Sequence, residues 1–124
     1  VWWDIWSVPA TGGEPTLVHR NAAGVDASPT GDAIAYNEAR SVDGEFTPGD
    51  LFVARPDGSD ARKVADPKAD FARWSPDGSQ LAYHGVDGIY VMDVETGETQ
   101  HYSDAAGWPE WVDEDTLMID SDEF

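Results

Sequence analysis

Apolar and polar residues alternate along most of this chain, in short runs separated by turn residues rather than in helical stripes. The stretch RWSPDGSQLAYHG, Arg73 to Gly85, is one such unit: an alternating run reaches Ser75, Pro76, Asp77 and Gly78, then alternation resumes at Leu81. Period-two patterning predicts paired strands, because successive side chains of a strand point to opposite faces. Pro76 presets φ at the second turn position, Asp77 can accept from the backbone, and Gly78 supplies the positive φ that closes a bulged hairpin. The same logic covers RPDGSD, Arg55 to Asp60. No apolar stripe at helical spacing runs long enough for a capped helix, so a helix-rich fold is disfavoured.

The unit recurs. In DASPTGDAIAYNE, Asp26 to Glu38, Ser28, Pro29, Gly31, Ile34, Ala35 and Tyr36 fall on Ser75, Pro76, Gly78, Leu81, Ala82 and Tyr83. A degenerate third copy is WPEWVDEDTLMID, in which Trp111 falls on Trp74 and Leu117 and Ile119 keep the alternation. A second hairpin also repeats: DIWSVPATGGEPTLV from Asp4, DLFVARPDGSDARKV from Asp50 and GIYVMDVETGETQHY from Gly88 align without a gap, so that Trp6, Phe52 and Tyr90 coincide. These spacings of 46 and 38 residues, with four short strands per unit, match the period of propeller blades.

WSPDGSQLAY followed by GIYVMDVETGET resembles the WD-like repeat of TolB-type β-propellers, a repeat also found in the propeller domains of prolyl-oligopeptidase and dipeptidyl-peptidase relatives. The resemblance implies an all-β propeller made of four-stranded antiparallel blades. Strand counting then divides the chain into a half blade (1–23), a blade (24–69), a blade (70–107) and a half blade (108–124), three blades in all. NEARSVDGEFTPGD, 37–50, is expected as a long loop between the second and third strands of the first whole blade. Closed propellers hold about four to eight blades, so three do not close comfortably alone. A head-to-tail homodimer would make six, the common TolB-like count, by pairing TLMID of one copy with DIWSV of the other. Trp3, Ile5, Trp6, Val8, Trp111, Leu117 and Ile119 are the expected assembly residues. The plainer alternative is three blades cut from a longer propeller.

Composition changes this picture in one respect. Asp and Glu number 25 against seven Lys and Arg, a net charge of -18. Such a field repels nucleic acid and anionic membranes, and excludes both as expected partners. It also suits a protein adapted to concentrated salt, where charges are screened within about 3 Å at 1 M. No apolar run is long enough for a membrane-spanning helix, and Val1 opens no basic-then-apolar leader, so localisation stays open. With no Cys there is no disulfide framework and no thiolate chemistry.

Chemistry is sparse. His19, His84 and His101 show no zinc spacing, no serine sits in a G-x-S-x-G elbow, and the Gly residues form no phosphate loop. Ser28 and Ser75 read as turn caps. Acidic runs such as VDEDT lack the pattern of a calcium loop. No cofactor, metal or catalytic residue is therefore expected. Alignment of the first strands does bring Gly24, Phe71 and Trp108 to equivalent positions near an inner rim, with Asp26, Arg73 and Glu110 two residues on and His84 on an adjoining loop. Alternating aromatic and charged residues at a ring mouth suit a peptide or small polar ligand. Packing between neighbouring blades is the plainer reading of Phe71 and Trp108. The sequence thus points to a non-enzymatic binding or scaffolding module. The alternatives are the substrate-gating propeller of a serine peptidase or lyase, the latter using His84, and a minimal propeller-forming fragment with no selected activity.

Overall fold

A computed structural model describes residues 3–122. They form eleven strands: β1 (Trp3–Ser7), β2 (Thr16–Ala27), β3 (Ile34–Val42), β4 (Glu45–Ala54), β5 (Arg62–Ala65), β6 (Asp70–Trp74), β7 (Gln80–Gly85), β8 (Gly88–Asp93), β9 (Thr99–Ser103), β10 (Trp108–Asp113) and β11 (Thr116–Asp120). All pairings are antiparallel between consecutive strands. No helix occurs among the described residues, so none there is long and apolar enough to cross a membrane.

The complete unit is β6-β7-β8-β9, a four-stranded meander. Its central hairpin pairs without interruption from Gln80↔Asp93 to Gly85↔Gly88. The turn before it follows the chemistry of its residues. Gly78 sits at φ 76°, its N–H donates to Ser75 O at 2.9 Å, and Ser75 Oγ accepts from Gln80 N–H at 3.0 Å. Ser75 is fully buried, which suits a cap more than a nucleophile.

One boundary gains detail, and one expectation needs correction. The half blade and the first whole blade, divided by strand counting at residues 23 and 24, lie in one five-stranded sheet, β1-β2-β3-β4-β5. The single strand β2 serves both: Ala22 pairs with Trp3 on one side and with Glu38 on the other, and bulges near Ala23 and Ile5 let β2 change partner. Asn21 and Gly24, at φ 53° and 66°, supply the bend. The expectation that fails is the long loop at 37–50. β3 runs to Val42 and β4 starts at Glu45, joined by Asp43 and Gly44 at φ 51° and 82°. Two adjacent left-handed residues make a two-residue hairpin whose twist matches the strands.

Sheets pack face to face through alternate side chains. Ile5 and Ala22 are buried against Ile34, Tyr36 and Ala54, with Val18 and Phe52 beside them. On the other face of the same sheet, Ala35, Leu51 and Val53 meet Trp74, Leu81, Tyr83 and Met92 of the four-stranded sheet. The first strands of successive units lie side by side, β6 against β2 and β10 against β6. Tryptophans repeat a link between them: Trp74 Nε1 donates to Asp26 O at 3.1 Å, and Trp111 Nε1 donates to Arg73 O at 2.9 Å. Asp26 and Arg73 are equivalent repeat positions, so each indole fastens its strand to the one before.

The outer limits of this array are open. Among the described residues, β1 pairs only with β2, and β11 only with β10. Trp3 and Trp6 are 73% and 53% exposed beside the first edge, and Met118 is 62% exposed on the second. Of the expected assembly residues, Ile5 is already buried within the chain and Trp111 is tied to Arg73, whereas Trp3, Trp6 and Val8 face outward and Leu117 and Ile119 are half-buried.

Candidate functional site

The inner rim is built where β6 and β10 begin. Phe71 takes a left-handed φ of 54°, uncommon for an aromatic residue and costly by about 1–2 kcal/mol. Two neighbours hold it there. Its N–H donates to Asn37 Oδ1 at 3.1 Å, and its ring rests where Gly24 has no side chain: a Cβ on Gly24 would lie 2.6 Å from Phe71 Cδ1. Gly24 and Phe71 both take positive φ, and each lies at a bulge in the first strand of its unit. Trp108 begins β10 in regular register with Asp120 instead.

Phe71 meets Trp108 edge-to-face, with ring centroids 5.1 Å apart, and the His84 ring also approaches Trp108, at 5.3 Å. Trp108 is half exposed and stands between two shallow cavities. One, of about 180 Å³, is lined by Phe71, Arg73, Trp108 and Pro109. The other, of about 380 Å³, is lined by His84, Gly107, Trp108, Asp120 and Asp122, among others. Arg73 Nε lies 3.9 Å from Glu110 Oε2, a loose and solvent-screened pair. The structure therefore gathers Phe71, Arg73, Trp108, Glu110 and His84 into one neighbourhood.

Asp26 stands apart from it in role. Its Oδ2 accepts from Trp74 N–H at 2.9 Å while its carbonyl accepts the Trp74 indole, so the residue joins two sheets through both its side chain and its backbone. Asp70 is a residue that sequence reasoning missed. It pairs with His84 across β6 and β7, and its Oδ1 is buried without a hydrogen-bond partner among the described residues. Burial holds its carboxyl above the ordinary range, with Lys68 and His84 acting in the opposite direction. The strand pairing that sets Asp70 against His84 was the one signal that could have raised it.

Chemically, the rim offers an exposed indole face next to a guanidinium and carboxylates, a combination that stacks on flat groups and hydrogen-bonds polar ones. Among the described residues, no three His, Cys, Asp or Glu side chains gather closely enough to hold a metal.

No family model matches the chain, and no curated protein does. Solved structures do. A protein from Agrobacterium tumefaciens assigned as TolB superposes with a TM-score of 0.68 at 23% identity, over 86% of this chain and 41% of its own. The β-propeller domain of the Trilobed protease from Pyrococcus furiosus, described as having an open velcro topology, gives 0.65 at 20% identity, over 87% of this chain and 37% of its own. The sheets described above are thus part of a β-propeller fold. The chain spans less than half the length of either neighbour.

Proposed function

We propose that the chain is a non-catalytic β-propeller module for binding or scaffolding, and that its two half blades are completed by those of a second copy. One observation carries this reading. β1 with the first part of β2 supplies what β8 and β9 supply in the complete blade, β10 with β11 supplies what β6 and β7 supply, and each pair is open on the side where the other would join. Two copies about a twofold axis would then close six blades, remove both free edges and cover Trp3, Trp6 and Met118. The ring mouth would present Phe71 and Trp108 twice, with Gly24 leaving two gaps, a polar and aromatic opening suited to a peptide or protein segment. With a net charge of -18, joining two copies works against repulsion that salt screens.

The length of the neighbours favours a second reading, in which further blades of one polypeptide fill the same edges. Sedimentation equilibrium of the 124-residue chain separates the two. The proposal expects twice the 13.5 kDa chain mass at micromolar concentration in molar salt, with the dimer weakening as salt is removed. A mass of one chain in every salt would reject the second copy.

A further inference from the structure

Resting on that reading, the two complete strand pairings inside the chain define how the joined blade should be registered. In β3–β4, Ile34, Ala35, Tyr36 and Asn37 face Ala54, Val53, Phe52 and Leu51. In β7–β8, Leu81, Ala82, Tyr83 and His84 face Met92, Val91, Tyr90 and Ile89. The equivalent residues of β11 follow from the first-strand pairing, because Trp74↔Leu81 and Arg73↔Ala82 match Trp111↔Leu117 and Glu110↔Met118. Those of β1 follow from its pairing with β2 and the gapless alignment of Ile5 and Trp6 with Leu51 and Phe52.

We propose that β11 of one copy pairs antiparallel with β1 and the adjoining Val8 of the other in the register Leu117↔Val8, Met118↔Ser7, Ile119↔Trp6 and Asp120↔Ile5, and that this surface takes a second copy of the same chain. Side-chain sizes support the register at its two middle positions. In the complete blades an aromatic pair occupies the third position, Tyr36 on Phe52 with centroids 5.9 Å apart and Tyr83 on Tyr90 at 5.7 Å. At the join, Ile119 is smaller than the tyrosines and Trp6 is larger than Phe52 or Tyr90. At the second position, Met118 replaces a buried alanine while Ser7 replaces a buried valine. Each enlargement therefore faces a reduction, as volume-conserving packing requires.

With β1 fixed by its pairing with β2, a slip of one residue would mismatch the faces, setting Ile119 beside Ile5 or Ser7 instead of Trp6. Ile5 faces the blade after it, buried against Ile34 and Tyr36. Trp6 and Val8 instead line an open cleft of about 600 Å³ with Glu14 and Pro15, on the side where the partner's sheet would lie. The area is adequate. A large aromatic side chain offers about 150–250 Å², so Trp3 and Trp6 at their present exposure, with Val8, Met118 and two strand edges, contribute several hundred Å² per join, and two joins reach the roughly 1,200–2,000 Å² of a stable dimer.

Cysteine pairs test the register in a chain that has no cysteine of its own. Ser7→Cys with Met118→Cys, and separately Val8→Cys with Leu117→Cys, should cross-link between copies under mild oxidation, since facing residues lie within disulfide reach. Both should exceed the off-register pair Trp6→Cys with Met118→Cys by about tenfold in linked product. Dimer mass in reducing buffer without either expected cross-link, or with the off-register pair linking better, overturns the register and leaves the assembly standing. Single-chain mass for the unsubstituted protein overturns both.

Discussion

Asp77 shows how much one side chain can organise here. Its Oδ1 accepts from Ser79 N–H at 2.9 Å, Ser79 Oγ at 2.6 Å and Ser75 Oγ at 2.9 Å. The Ser79 hydroxyl is the largest influence holding its carboxyl below the ordinary value, followed by the Ser79 amide and the Ser75 hydroxyl. A depressed carboxylate stabilises the fold above its unfolded pKa, and that contribution is lost as pH falls through the folded one. Asp77→Ala should therefore lower the melting temperature at neutral pH by more than it does at a pH below the carboxylate range; an equal loss at both would show that charge has no part in the turn. This role was legible in the sequence, because turn chemistry is local. The left-handed φ of Phe71 was not, because it depends on Asn37 and Gly24, which belong to another sheet. Nor was the buried Oδ1 of Asp70, since burial is decided by neighbours distant in the chain.

Between elements, Asn37 is the residue on which most depends. Almost wholly buried, it donates to Gly49 O at 3.3 Å and Ala69 O at 2.9 Å and accepts from Phe71 N–H, so it ties β3 to β4 and to the start of the next sheet. Asn37→Leu would fill the space but leave three backbone groups unpartnered, at about 1–3 kcal/mol each. Urea unfolding should show a loss of about 3 kcal/mol or more, and a loss under about 1 kcal/mol would contradict the role. Strand hairpins were readable from alternation, and the repeat placed the indole links of Trp74 and Trp111 on matching residues. Strand boundaries were harder. Between Val18 and Val25, Asn21 and Gly24 stand apart instead of side by side, so they bend β2 without ending it and the strand crosses from one unit to the next. At Asp43 and Gly44 the reverse held: a strong two-residue hairpin signal was outweighed by the length of the polar stretch around it.

At the scale of the whole molecule, the account rests on free strand edges. In a sheet, alternate backbone amides of a strand point to each neighbour, so among the described residues β1 and β11 each carry half their amides on an unpaired edge. Packing within the chain was foreseeable from the repeat, whereas the proposed union of the half blades leaves its trace in the complementary sizes of Trp6 with Ile119 and of Ser7 with Met118. Residue-resolved hydrogen exchange in molar salt, at protein concentrations above and below dimer dissociation, tests the claim most directly. The account predicts that every amide from Ile5 to Ser7 and from Leu117 to Ile119 is protected when concentrated, with alternate ones released on dilution. Alternate amides of both strands exchanging at unprotected rates at every concentration would contradict it.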